Sequence, residues 1–340
     1  MVAWWLRGMT LLNLAMLVVW LAWAWPQSVP RALGGALLWA LAGRWWLGQQ
    51  FACLALVRRS RGEPPLPLAQ LLRAWNAECR LSLRAFGWDM PWAEHAQADY
   101  VPDRQPDRPV GSAGVVLVHG WLCNRAIWAD ALHQLRAAGV PCIAVSMPLL
   151  LHRVGTGRAV LDGAARRMQA ATGRPPVVVA HSLGGLVVRD WLRSLTDADA
   201  PHRPQQVVTV GSPHHGTWMA YWALGPNVAQ MRPGNAWLQQ LQREEARPGS
   251  AASRVQWHCA LSDTDNMVFP GTTALLEGAT PLWLNGMAHV EMLQAPALWA
   301  LVRQLVVQAP HAAEAAGAAG AAGAMESEAA CAPAEPKSIM

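Results

Sequence analysis

Charged residues are scarce in this chain: Asp, Glu, Lys and Arg make up 14% of its 340 residues, against 53% hydrophobic. So low a charge density speaks against a simple soluble enzyme. Cysteine is sparse and unpatterned. Cys53, Cys79, Cys123, Cys142, Cys259 and Cys331 form no C-x-x-C pair and no metal-ligand spacing with histidine, so no disulfide framework or zinc site is implied. The net charge of +5 is modest and scattered. No alternation of basic and aromatic residues points to nucleic acid, and the surplus is better assigned to membrane lipid headgroups.

Tryptophan is abundant instead: 20 in all, seven of them in the first 45 residues. Residues 8–25 are an uncharged apolar run of 18, just long enough to span a bilayer core. Trp4 and Trp5 border one end and Trp23 and Trp25 the other, like interfacial aromatic belts. Pro26-Gln27-Ser28 then makes a turn. A second apolar stretch, residues 32–57, is interrupted by Arg44 and Gln49-Gln50. Spanning would put Arg44 near the midplane, at a cost of roughly 3 kcal/mol; lying in the interface is the alternative. Arg58, Arg59 and Arg61 follow like a cytoplasmic stop and favour spanning. Residues 1–61 are therefore read as an anchor of one or two transmembrane helices in a bacterial inner-membrane type of cell membrane, with the body facing the cytoplasm. A cleaved secretory signal is the competing reading, disfavoured by bulky tryptophans near Ala22-Trp23-Ala24.

Residues 62–110 read as an amphipathic helix and a linker. Over 66–86, Leu68, Leu71, Leu72, Trp75, Cys79 and Phe86 recur at helical spacing, predicting a helix packed on the body or, alternatively, on anionic lipid. Residues 99–109 are rich in proline and charge.

Chemistry enters at Ala180-His181-Ser182-Leu183-Gly184-Gly185. The β-prone run 177–180 meets a helical run beginning at Leu183, so Ser182 falls on an abrupt strand-to-helix turn with small residues at i−2 and i+2. This is the G-x-S-x-G elbow with alanine first. A serine N-cap on a Gly-rich helix start is the plainer alternative. Further strand-like runs end in VLVHGW (116–121), GSPHHGT (211–217), DNMVFP (265–270) and GMAHVEML (286–293). Serine, acid, then histidine, each in a loop after a strand, is the chain order of one hydrolase fold.

On these five blocks the chain resembles the α/β-hydrolases, closest to bacterial lipases and membrane-associated esterases. The resemblance implies an α/β fold with a mostly parallel central sheet flanked by helices over 111–309, preceded by the transmembrane helices. It implies Ser182 as nucleophile, His289 as base, and Asp265 as the acid that orients the imidazole. Asp263, two residues away, is the rival acid; the D-x-x-V spacing from Asp265 to Val268 favours Asp265. The backbone N–H groups of Trp121 and Leu183 would form the oxyanion hole. His119, His181, His214 and His215 are expected around the substrate pocket, His119 bracing the oxyanion loop. The apolar insertion 214–254 reads as a cap over an acyl pocket or as plain packing helices, and 310–340 as a disordered Ala/Gly-rich tail. The function implied is membrane-associated hydrolysis of carboxylic esters of lipid or acyl-chain substrates, with no cofactor. An acyltransferase or thioesterase using the same residues, and a catalytically silent membrane scaffold, are the alternatives.

Overall fold

The computed structural model describes residues 1–102, 112–148 and 152–309. Most of the expected 99–109 linker and all of the expected tail lie outside the described residues. Helices α1 (Val2–Ala24) and α2 (Val29–Ser60) run antiparallel as a hairpin. Ser28 caps α2 by accepting from Arg31 N, and Pro30 sits in its first turn, where a missing N–H does no harm. The Trp20 indole donates to Ala32 O at 3.2 Å and lies where a Cβ on Gly35 would come within 2.3 Å, so that close crossing requires glycine.

From Met9 to Trp46 the hairpin exposes large apolar side chains, including Leu11, Leu14, Val18, Leu33, Leu37 and Leu38. Among the described residues α1 is the one helix long and apolar enough, by length and composition, to cross a membrane. Both ends of the hairpin are tied to the rest of the molecule. Val2 and Leu6 pack with Met90 and Cys123, and Phe51 and Leu54 with Phe269 and Ala288. Residues 32–57 are thus not one lipid-facing segment. Arg44 divides them, its guanidinium 4.6 Å from the Trp75 ring centroid and 3.2 Å from Asn76 Oδ1. It stands level with the body, held against α3.

Trp75 and Asn76 belong to α3 (Leu68–Arg84), which leads through a π-helical turn (Ala85–Asp89) into the short α4 (Met90–Trp92). The buried face of α3 is Ala74, Ala77, Glu78 and Cys79, whereas Leu68, Leu72 and Leu83 are exposed. Of the stripe expected from the apolar periodicity, Leu71, Trp75, Cys79 and Phe86 pack on the body and Leu68 and Leu72 do not, and the helix docks through polar bonds as well. Gln70 donates to Asp263, Arg73 to Glu291, and Glu78 accepts from Val290 N.

The body is one parallel sheet of β1 (Val115–Val118), β2 (Cys142–Ala144), β3 (Val177–His181), β4 (Gln206–Val210), β5 (Gln256–Leu261) and β6 (Thr280–Trp283), in the order β2-β1-β3-β4-β5-β6. Strands β1 to β3 are buried at every residue, as continuous valine runs require when both faces are covered. Side chains alternate between the faces. Val116, Val118, Val178 and Ala180 meet α6 (Arg158–Thr172) and α7 (Leu183–Leu192). Val115, Leu117, Val177 and Val179 meet α5 (Ala129–Ala137) and α10 (Pro296–Gln308). The chain leaves β1 for β2 on one side and returns to β3 on the other. The carboxyl ends of β1 and β3 therefore flank the switch point where open α/β sheets bind ligands.

Candidate active site

Ser182 is the one residue between β3 and α7, and it reverses the chain alone. Its φ of 56° and ψ of −128° are a left-handed conformation that a side chain tolerates only where the surroundings enforce it. Here Ser182 N donates to Val210 O at 2.8 Å, and its carbonyl accepts from Gly185 N at 3.1 Å. A Cβ on Gly184 would lie 2.7 Å from Val118 O, and one on Gly120 2.7 Å from Ser182 Cβ. The loop after β1 thus presses directly on the elbow. Trp121 and Leu183, whose N–H groups are the oxyanion donors expected from sequence, belong to the two segments that touch at Ser182.

His289 follows β6, and Asp265 follows β5. Both Asp265 oxygens lie 3.0 Å from His289 Nδ1. Asp265 is itself fixed by the N–H groups of Met267 and Val268, each 2.8 Å from Oδ1. Asp263 points elsewhere: it accepts from Gly286 N at 2.7 Å and from Gln70 of α3. Ser182 and His289 line the same cavity. Among the described residues Ser182 Oγ makes no hydrogen bond, to His289 or to any other group.

Burial opposes a charge on His289, but the Asp265 carboxylate, with a smaller contribution from Glu78, outweighs it and holds the imidazole pKa above its usual value. The His289 loop is pinned through its backbone. Ala288 N donates to Glu291 at 3.0 Å, His289 N to Asn266 Oδ1 at 3.1 Å, and Val290 N to Glu78 Oε2 at 3.0 Å. Asn266 in turn donates to Gln50 of α2 at 2.6 Å, and Glu291 is gripped by Arg73 of α3. The helices preceding the sheet hold the histidine loop, which reading the sequence did not anticipate.

Glu78 is the chief residue that reading missed. It is 2% exposed, lines the cavity, and is pushed up to about 7, mainly by burial, with His289 and the Val290 N–H pulling the other way. A signal was present, since Glu78 lies seven residues after Leu71 and three after Trp75, on an apolar side of the helix.

Of the four histidines expected at the pocket, one lines it. His181 packs its ring 4.6 Å from that of His289 and is kept neutral by burial first and then by the charge on His289. The other three are drawn away by their own hydrogen bonds. His119 donates from Nδ1 to Gly120 O and accepts at Nε2 from Met147 N, both at 2.8 Å. It braces the turn beside Ser182, and burial drives its pKa down to about 4. His214 is buried against Thr209 Oγ1 at 3.0 Å. His215 is exposed between Leu275 O and Gln242.

The cavity holds about 650 Å³ and is mainly apolar. The first half of the 214–254 insertion contributes Met219, Ala220, Trp222, Val228 and Met231. Its second half packs as α9 (Ala236–Glu245), after α8 (Pro226–Gln230), with Leu238 and Leu241 in the core. Cys123, also in the lining, has its thiol pushed up to about 12 by burial, which leaves it inert as a nucleophile. No cluster of His, Cys, Asp or Glu among the described residues fits a metal ion.

A family model described as the alpha/beta hydrolase family matches residues 115–332. The mature form of Bacillus licheniformis lipase BlEst2 is similar in structure, with 17% identity and a TM-score of 0.51 over 60% of this chain and 95% of that one. Aspergillus fumigatus lipase B matches at 19% identity and a TM-score of 0.49, over 62% of this chain and 55% of its own. At 17% identity the likeness to the Bacillus lipase speaks for the fold alone. No curated protein matches the sequence.

Proposed function

Because the chain belongs to the alpha/beta hydrolase family, we propose that it is a membrane-anchored serine hydrolase cleaving carboxylic esters of lipid or other acyl-chain substrates. The observation that carries this reading is the buried Asp265–His289 pair, 3.0 Å apart, opening with Ser182 onto one apolar cavity. Ser182 Oγ adds to the ester carbonyl carbon as His289 Nε2 takes its proton. Asp265 holds the Nδ1–H tautomer and stabilises the imidazolium. The oxyanion is met by the N–H groups of Trp121 and Leu183, each worth about 3–4 kcal/mol in such sites. Collapse breaks the bond to the alcohol oxygen, which takes the proton from His289 and leaves acylated Ser182. Water, losing a proton to His289, adds to the acyl carbon; Ser182 Oγ departs with that proton, and the acid is released. No step calls for a metal or a cofactor.

The hairpin is the anchor in this reading. Its base carries Arg7, Arg44, Arg58, Arg59 and Arg61 and its tip only Arg31, so the positive-inside bias turns the body toward the cytoplasm. The test is labelling of Ser182 by a fluorophosphonate probe together with hydrolysis of a p-nitrophenyl ester series. Both are expected of the unaltered protein, and neither of Ser182→Ala. Labelling with transfer of the acyl group to an added alcohol, and no free acid, would replace hydrolysis by acyl transfer; a protein that neither labels nor turns over would end the reading.

A further inference from the structure

The cavity does not end at the catalytic groups. Along α2 its lining takes in Ala40, Gly43, Arg44, Leu47 and Gln50. That spacing is one helical stripe, and at 1.5 Å per residue it runs about 15 Å. The stripe begins at Gln50, bonded to Asn266 beside the histidine loop, and ends at Ala40, four residues beyond Arg44 in the exposed apolar part of the hairpin. The lining residues exposed on these helices, Ala40 and Trp46 of α2 with Arg80 and Leu83 of α3, place an opening between α2 and α3 where the hairpin leaves the body. Gly43 keeps that opening clear: a Cβ there would meet nothing within 4 Å.

The charges in the lining are unequal. Glu78 is its one carboxyl and is buried; Arg44 and Arg80 are its two cations. Arg80 is exposed and has no hydrogen-bond or ion-pair partner among the described residues. Arg44 touches an amide and an indole but no carboxylate. Their neighbours on α3 differ. Arg73 is paired with Glu291, and Arg84 with Asp89 and Asp130. Two guanidiniums without a counter-ion, at the mouth of an apolar cavity beside exposed apolar helices, fit an anion attached to hydrocarbon.

We propose that the mouth between α2 and α3 admits a phosphate-bearing membrane lipid sideways from the bilayer, Arg44 and Arg80 holding the phosphate while an acyl ester reaches Ser182. This rests on the ester-hydrolase reading above and names its substrate class. In such a lipid the ester lies a few bonds from the phosphate, so one binding event can fix both. One acyl chain then lies against Met219, Val228 and Met231, and lateral entry spares the lipid exposure of its methylenes to water.

The test uses the full-length protein in dodecyl maltoside micelles, a carrier with neither phosphate nor ester. Diacyl phosphatidylglycerol and diacylglycerol of identical chains are supplied at equal mole fraction, with p-nitrophenyl butyrate as the small ester and fluorophosphonate labelling as the check on folding. We expect phosphatidylglycerol to be preferred by about tenfold or more in kcat/KM, and Arg44→Gln with Arg80→Gln to bring that ratio close to one. Gly43→Trp is expected to lower both lipid rates relative to the butyrate rate by about tenfold, by plugging the mouth. Inorganic phosphate is expected not to compete; full competition would assign the arginines to a soluble anion and overturn the lipid. An unaltered headgroup ratio in the arginine variant, or an unaltered lipid-to-butyrate ratio in Gly43→Trp, sinks the portal alone. Absence of butyrate turnover and of labelling in the unaltered protein sinks the hydrolase reading and the portal with it.

Discussion

Replacing Glu78 with glutamine removes a proton site from the cavity wall while keeping an oxygen to accept the Val290 N–H. In the native protein this carboxyl is raised from 4.5 to about 7, by burial above all, against the opposing pull of His289. An acid with a raised folded pKa holds its proton longer when folded than when unfolded. Between about 4.5 and 7 the folded state then binds more protons, so this group's contribution to stability falls as pH rises and is fully unfavourable above 7. At 1.36 kcal/mol per unit, the drift amounts to about 3 kcal/mol. Glutamine has no such drift, so urea unfolding of the detergent-solubilised protein at pH 5 and pH 8 should show the variant gaining on the native protein by up to that amount. A second readout comes from His289, whose pKa Glu78 helps to raise. With that charge gone, the acid limb of kcat/KM for a p-nitrophenyl ester should move to lower pH, because the imidazole must be neutral to accept the serine proton. Stability curves that stay parallel between pH 5 and pH 8, together with an unmoved acid limb, would refute the reasoning.

The body of the fold was readable because its signals are local. Valine runs ending in small residues mark β1 and β3, and the Ala180, Ser182, Gly184 spacing marks a turn that Gly184 alone explains by its approach to Val118 O. Asp265 and His289 carried family spacing. Three of the histidines expected around the pocket do not line it, for a different reason. Sequence shows that an imidazole is near the site but not which way it points. His119 and His214 turn from the cavity toward Met147 N and Thr209 Oγ1, partners 28 and 5 residues away. The second apolar stretch stayed open because composition alone cannot tell lipid from protein as the partner of Phe51 and Leu54. Gln50 carried no signal, and the helical spacing that put Glu78 on an apolar side could hint at its burial but not at its partner. Their significance lies in bonds to Val290 and Asn266, more than 200 residues distant, and no local pattern encodes such a pairing.

Four other substitutions separate the roles assigned here. Asp265→Asn should lower kcat by about 10⁴ through the wrong imidazole tautomer, whereas Asp263→Asn should mainly loosen α3 and show as a lower unfolding midpoint; equal kinetic losses would undo the assignment. Gly120→Ala should cut kcat sharply, since its methyl would stand 2.7 Å from Ser182 Cβ, and a fully active variant would show that the loop after β1 is free to retreat. Gln50→Leu tests whether the hairpin positions the histidine. Asn266 is fully buried, and its amide donates to Gln50 Oε1 while its oxygen accepts from His289 N. Leucine leaves that donor without a partner, at a cost of about 1–3 kcal/mol, and frees the amide to rotate away from the histidine loop. Because the fault lies in orienting the base, it should appear in kcat and in the rate of Ser182 labelling, with KM for a small ester little changed. A rise in KM at constant kcat would instead make Gln50 a substrate contact, and α2 a wall of the cavity without a hold on the catalytic loop.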